Sequence, residues 1–272
     1  MTTLPIYQVD AFTSEVFGGN PAAVMPLEHW LPDELLQKMA LENHLSETAF
    51  LVPEPAGSDA DFHIRWFTPG AEVPLCGHAT LATAWVLFYK LDFAQDTVRF
   101  RSKSGPLGVT RREGGWLELD FPNLAYQEQA TPELLRQALP LAGEWVYFTP
   151  NDANYMVVLE NEAAVRAAEP DLGLLKKLGS QGVIITAPGE QCDFVSRYFV
   201  PSVGIDEDPV TGSIHSVLTP YWAGRLGRDR LSARQLSARG GVLECRLDGD
   251  RVRIAGQAAF YMEGQVRLDS VS

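Results

Sequence analysis

Positive charge, cysteine and long apolar runs are all scarce in this chain, and each shortage removes a class of function. Basic side chains number 22 against 35 acidic ones over 272 residues, a formal charge of −13. A phosphate backbone is gripped by a basic surface, so neither nucleic acid nor an anionic membrane face is expected as a partner. A local positive pocket for a small anion stays open. Cysteine occurs three times, at Cys76, Cys192 and Cys245, widely spaced and with no CxxC pair. That excludes a disulfide framework and a spaced metal motif, and leads us to expect reduced thiols and a cytoplasmic location. No apolar run approaches a membrane span of about 20 residues. The chain goes directly into Ile6-Tyr7-Gln8-Val9-Asp10, without the basic and apolar segments of a secretory leader. What is present is ordinary globular composition, 46% hydrophobic and 21% charged, in a chain long enough for two domains.

The chain also repeats itself. Asp61-Phe62-His63-Ile64-Arg65-Trp66-Phe67-Thr68-Pro69 lies over Asp193-Phe194-Val195-Ser196-Arg197-Tyr198-Phe199-Val200-Pro201 at an offset of 132. Cys76-Gly77-His78-Ala79-Thr80 matches Thr211-Gly212-Ser213-Ile214-His215, and Glu47 to Pro53 matches Gly182 to Pro188, both at an offset of 135. Chance recurrence of aromatic strands ending in proline is the bland alternative; three blocks in one order argue for duplication. Two similar domains follow, residues 1–121 and 122–262, with a strand at 263–272 returning to the first. One site where the halves meet is the simplest expectation.

Periodicity places the motifs. Alternation predicts strands at 5–10, 22–25, 47–52 and 62–67, and helical spacing of Leu35, Leu36, Met39 and Ala40 predicts a helix over 33–43 behind Pro32. Gly77 to Lys90 is apolar nearly all round, the mark of a buried helix, and Gly212 to Leu226 is its counterpart. Short strands are expected at 98–101, 107–110 and 116–120, with 122–131 as the passage between halves. Thr131-Pro132-Glu133 reads as a capped helix start, Thr131 as the cap and Pro132 at the first position. Strands at 155–159 and 183–186, broken helix over 162–178 and a meander over 241–268 complete the pattern.

The chemistry concentrates at the two glycine corners. Gly77 and Gly212 let backbone approach a ligand closely, and the first amides of a helix are unpaired donors carrying partial positive charge. Two such ends would hold a carboxylate without Arg or Lys; the plain alternative is that each glycine merely permits a turn. His78 can donate to an anion or move a proton near neutrality, or be structural. Ser213 follows Gly212. Asp208, in an acidic run that could simply be solvated, can accept from a ligand amine or hydroxyl. Glu47 stands between a helical stretch and an apolar strand, where burial would raise its pKa and suit it to carrying a proton. An ordinary helix-end carboxylate is the competing view. Cys76 before a helix start could be a reactive thiolate, but its counterpart Thr211 is a poor base, which favours a small buried residue.

Taken together, Val9-Asp10-Ala11-Phe12-Thr13, Phe17-Gly18-Gly19-Asn20-Pro21-Ala22-Ala23-Val24, Leu45-Ser46-Glu47-Thr48-Ala49-Phe50, Leu75-Cys76-Gly77-His78-Ala79-Thr80 and Glu207-Asp208-Pro209-Val210-Thr211-Gly212-Ser213 resemble the PhzF-like (phenazine biosynthesis-like) family, relatives of diaminopimelate epimerase. The resemblance runs nearly end to end. It implies an α+β fold of two duplicated domains, each a barrel-like sheet around a central helix, and a homodimer. It implies a cofactor-independent isomerase, using no metal, that acts on a small carboxylate-bearing substrate. Glu47 would be the proton shuttle, with His78 and Asp208 as catalytic partners. Gly77, Gly212, Ser213, Asn20, Gln235 and Arg239 would bind substrate. Gln235 to Gly241 resembles a loop of the YddE-type branch, where the phenazine enzymes carry Gly-Arg-Pro; this speaks against the phenazine substrate. A non-catalytic metabolite-binding protein and a racemase or epimerase using Cys76 are the alternatives.

Overall fold

The computed structural model describes residues 2–140 and 145–268. Its elements run β1 Thr2–Ala11, β2 Asn20–Pro26, α1 Asp33–Asn43, β3 Glu47–Pro53, β4 Phe62–Phe67, β5 Glu72–Val73, α2 Gly77–Tyr89, β6 Thr97–Ser102, β7 Gly105–Arg111 and β8 Leu117–Pro122. There follow β9 Gln127–Glu128, α3 Glu133–Ala138, β10 Val146–Thr149, β11 Asn154–Val158, α4 Glu162–Arg166, α5 Leu172–Lys176, β12 Gly182–Pro188, β13 Phe194–Val200 and β14 Ile205–Glu207. The chain ends with α6 His215–Leu226, β15 Arg230–Gln235, β16 Gly241–Asp248, β17 Arg251–Gly256 and β18 Ala258–Leu268. Contacts divide it into two compact units, Phe121–Ile254 and the remainder. The return to the first unit is by β18, which pairs along β1 from Ala258 onward, five residues before the strand expected at 263–272. Residues 269–272 of that expected strand lie outside the described residues.

The two units have the same internal topology. In the first, β2 runs parallel to β3, β3 antiparallel to β4, β4 parallel to β6, and β6 antiparallel to β7. In the second, β11 is parallel to β12, β12 antiparallel to β13, β13 parallel to β15, and β15 antiparallel to β16. The repeated Arg has a repeated task. Arg65 binds Glu72 through both carboxylate oxygens, at 2.8 and 2.9 Å, and lies over the Phe67 ring. Arg197 binds Glu207 at the same 2.8 and 2.9 Å and lies over Phe199. A fork of this kind is geometrically demanding and ties the strand to the short strand after it. One position breaks the symmetry. Thr48 pairs with Phe67 and Val183 with Phe199, so Glu47 at the head of β3 corresponds to Gly182 at the head of β12. A Cβ on Gly182 would stand 2.6 Å from the Phe199 carbonyl oxygen.

Each unit packs its strands on a nearly all-apolar helix. In α2 every residue except Trp85 and Tyr89 is buried. Its two threonines are accommodated by bonding back up the helix, Thr80 Oγ1 to the Cys76 carbonyl at 2.6 Å and Thr83 Oγ1 to that of Ala79 at 2.7 Å. In α6 the Trp222 indole stacks on Phe194 and donates to Thr186 Oγ1 at 3.0 Å. Pro220 within α6 removes the donor that the Ser216 carbonyl would receive, and the Leu124 amide supplies it at 3.1 Å. The second helix was expected from Gly212. It begins at His215 instead, because tight i→i+3 bonds from Gly212, Ser213 and Ile214 form its approach. The start of α3 also differs. Pro132, not Thr131, is its cap, and Glu133 is the first helical residue. Among the described residues no helix is long and apolar enough to cross a membrane. The three cysteines are free.

Candidate active site

In the first unit, α1 closes with His44 in the left-handed conformation, φ 51°. Three residues later the chain enters β3, so Glu47 is the first residue of a strand whose next four residues are buried. Asn43 Nδ2 donates to Thr48 Oγ1 at 3.1 Å and fixes that turn. Across from it, Cys76 is the extended cap of α2, and Gly77 and His78 open the helix. No acidic residue occupies that first turn, so its amides and the helix dipole are not neutralised locally.

These elements bring Glu47, Cys76, His78 and Asn20 together. Glu47 Oε2 stands 3.1 Å from His78 Nε2, with side chains 14% and 6% exposed. The approach is an ion-pair contact and not an aligned hydrogen bond, since neither atom has a hydrogen-bond partner. On the other ring nitrogen, Cys76 Sγ lies 3.5 Å and Asn20 Nδ2 3.2 Å from His78 Nδ1. Asn20 suits either protonation state: its amide N–H donates to a neutral Nδ1, and turned over it offers its carbonyl to a protonated one. Burial alone would lower the His78 pKa, but its contacts with Cys76 and Glu47 outweigh it and hold it well above the ordinary value. Burial, then the Glu47 charge, push the Cys76 thiol up. A thiol kept neutral contributes no charge, so we take Glu47 as the group that holds a proton on His78.

Glu47, Cys76 and His78 are of the types that bind zinc, and their ligand atoms lie within 4.8 Å of one another. The short contacts, however, go to opposite nitrogens of one ring. That is the arrangement of a relay through the imidazole, and a chelate needs donors converging on a point.

In the second unit, Asp208 accepts from Thr211 Oγ1 within the Asp208–Thr211 turn. Gln235 is fully buried beneath it. Its Oε1 accepts from the Thr211 amide at 2.9 Å, and its Nε2 donates to the Asp208 carbonyl at 2.9 Å. Expected to bind substrate, Gln235 has both ends of its amide engaged in holding this loop, and Ser237 Oγ braces the Pro209 carbonyl at 2.7 Å. Gly212, directly after this turn, is buried, while Ser213 and, further along the chain, Arg239 are half-buried.

Sequence reading missed His215 altogether. It is fully buried, with Nδ1 2.8 Å from the Thr211 carbonyl. Burial lowers its pKa to about 4 despite that bond. The folded state therefore resists protonation between the unfolded value of about 6.5 and about 4. The stability this residue contributes is complete above pH 6.5 and declines as pH falls to 4, by about 3 kcal/mol. In His215→Asn, which keeps a donor but does not titrate, melting temperature is expected to fall less over that interval than in the parent; equal falls would contradict it.

Comparison with known proteins agrees with the duplicated fold. The chain is 54% identical over 265 residues to a Pseudomonas aeruginosa protein named an uncharacterized isomerase, covering 97% of this chain and 99% of that one. It is 41% identical to the human phenazine biosynthesis-like domain-containing protein, covering 96% and 98%. A crystal structure of a PhzF family protein from Enterococcus faecalis superimposes with a TM-score of 0.92 at 46% identity, over 98% of this chain and all of that one. A hydroxyproline epimerase from Agrobacterium vitis shares the fold at a TM-score of 0.63 and 13% identity, over 99% and 94%. Residues 9–264 match the phenazine biosynthesis-like protein family, PhzC-PhzF, and the chain belongs to that family.

Proposed function

We propose that the protein is an isomerase that relocates a proton on a small carboxylate-bearing substrate, with Glu47 as the proton carrier. The observation that carries this reading is the buried contact between Glu47 Oε2 and His78 Nε2 at the amino end of α2. Relatives named isomerases support the reaction class.

The steps balance without an external oxidant or reductant. Glu47 takes a proton from a carbon next to a double bond conjugated with the substrate's carboxylate, leaving the electron pair delocalised across that double bond as a dienolate. His78 and the first amides of α2 stabilise that negative charge, as donors aimed where charge develops. Glu47 then returns the proton to another carbon on the same face. The scheme needs no organic cofactor. For the second unit we propose orientation of substrate. Asp208 would accept from an amine or hydroxyl, and Gly212, Ser213 and Arg239 would donate to acidic groups.

One observation favours a second reading. The Cys76 thiol touches the same imidazole as Glu47, so a thiol-based racemase or epimerase would use this same corner. A single experiment tests the class. The protein is incubated in deuterated water with a panel of cyclic and linear amino and hydroxy acids, and each compound is weighed by mass spectrometry. Isomerisation predicts at least one compound that gains deuterium and changes structure. Saturable binding without any labelling would establish the non-catalytic alternative.

A further inference from the structure

We propose that the second unit carries a separate binding site for a free apolar α-amino acid, at the carboxyl-terminal half of α6. A cavity of about 460 Å³ lies there, lined by Val158, Leu159 and Trp222, with Trp145, Glu160 and Arg225 among its other walls. That volume falls within the usual range for small-ligand sites, and the composition, an apolar body with few polar groups, is what such sites need. His215, at the Asp208 end of α6, and Arg225 are ten residues apart on the helix, roughly 15 Å along its axis. The cavity is thus distinct from the corner holding Asp208 and Gln235.

Arg225 identifies the anionic part of the ligand. Its guanidinium lies 5.9 Å from the ring centroids of both Trp145 and Tyr221, and Nη1 donates to the Tyr221 hydroxyl at 3.3 Å. Among the described residues it has no carboxylate partner. Two aromatic rings hold the cation while leaving donors of its planar fork for a carboxylate. Glu160, exposed just past the end of β11, offers the complementary site for an ammonium group. Trp222 is 2% exposed and supplies a rigid wall, whereas Trp145 is 55% exposed and available to cover a bound side chain. One cation, one anion and an apolar floor match a zwitterion bearing a hydrophobic side chain.

The test uses the full chain, with L-phenylalanine, 3-phenylpropanoate and phenethylamine titrated by calorimetry. Phenylalanine is expected to bind more tightly than either singly charged analogue. Arg225→Met is expected to weaken phenylalanine at least tenfold, and Arg225→Lys to restore part of the loss. Deuterium labelling of whichever compound the parent protein processes should be unchanged in Arg225→Met, which separates this site from the reaction. No saturable binding of phenylalanine at 10 mM (on the order of the weakest site worth the name), or equal affinity in the parent and a normally folded Arg225→Met, overturns the proposal.

Discussion

Glu47→Gln is expected to reduce deuterium labelling by about 10²- to 10⁴-fold, the range that a positioned general acid–base group contributes. Glutamine keeps the length and planarity of the side chain but cannot take a proton. The change also removes the negative partner of His78 at 3.1 Å. Stability should fall as well, because the buried His78 loses the carboxylate that holds its proton. Cys76→Ala is the companion variant. If Glu47 carries the proton, the alanine variant keeps most of the labelling, since the thiol merely touches Nδ1. If labelling instead survives Glu47→Gln at the parental rate and vanishes in Cys76→Ala, the thiol is the base and our assignment is wrong. Both variants should be measured on the compound that the parent protein labels, with circular dichroism to confirm the fold.

Gly19→Ala should be the most damaging small substitution near the site. Gly19 has φ +59°, and a Cβ there would stand 2.1 Å from the Ala11 carbonyl oxygen and 2.8 Å from Thr13 Cγ2. That oxygen cannot retreat, because Ala11 pairs with Asn20 at the end of the β1–β2 ladder. Overpacking and left-handed backbone strain together are expected to cost about 3 kcal/mol or more. For a chain of this size that is a fall in melting temperature of roughly 6–12 °C. Labelling should fall too, because any shift of Gly19 moves Asn20, which touches His78. Gly57 provides the control. It also has positive φ, +89°, but an added Cβ meets nothing within 4 Å, so Gly57→Ala should show the backbone penalty alone. Equal melting temperatures for the two variants would remove the steric argument.

Periodic apolar segments were the legible part of this fold. The stretch from Gly77 has so little polar surface that burial was forced, and α2 ends within one residue of the expected limit. The strand over 62–67 was read from its aromatic and branched side chains and lies where expected. Strand β15 escaped because its inward positions are Leu231, Ala233 and Gln235, and the last is a polar side chain buried for its amide bonds. Gln235 was named only from the resemblance of its loop, and a sequence does not show that its amide also holds the Asp208–Thr211 turn. Glu47 and His78 were nameable from their motifs, yet their 3.1 Å contact depends on α1, β3 and α2 converging, which no local pattern encodes. His215 left no signal because a buried neutral histidine and an exposed one look alike in sequence. Thr131 read as a cap because the preference for threonine before proline is only statistical, and here Pro132 itself takes the boundary position.

The glycine that heads β12 bears on how this molecule could have diverged. Duplication began with two equivalent strand starts, and only one now bears a carboxylate. Placing an acid at Gly182 by a single substitution would drive its side chain into the Phe199 carbonyl oxygen, Val200 and Tyr198, all within 2.7 Å of the added carbon. A second carboxylate at the position equivalent to Glu47 is therefore closed by crowding, and the two units are committed to unequal roles.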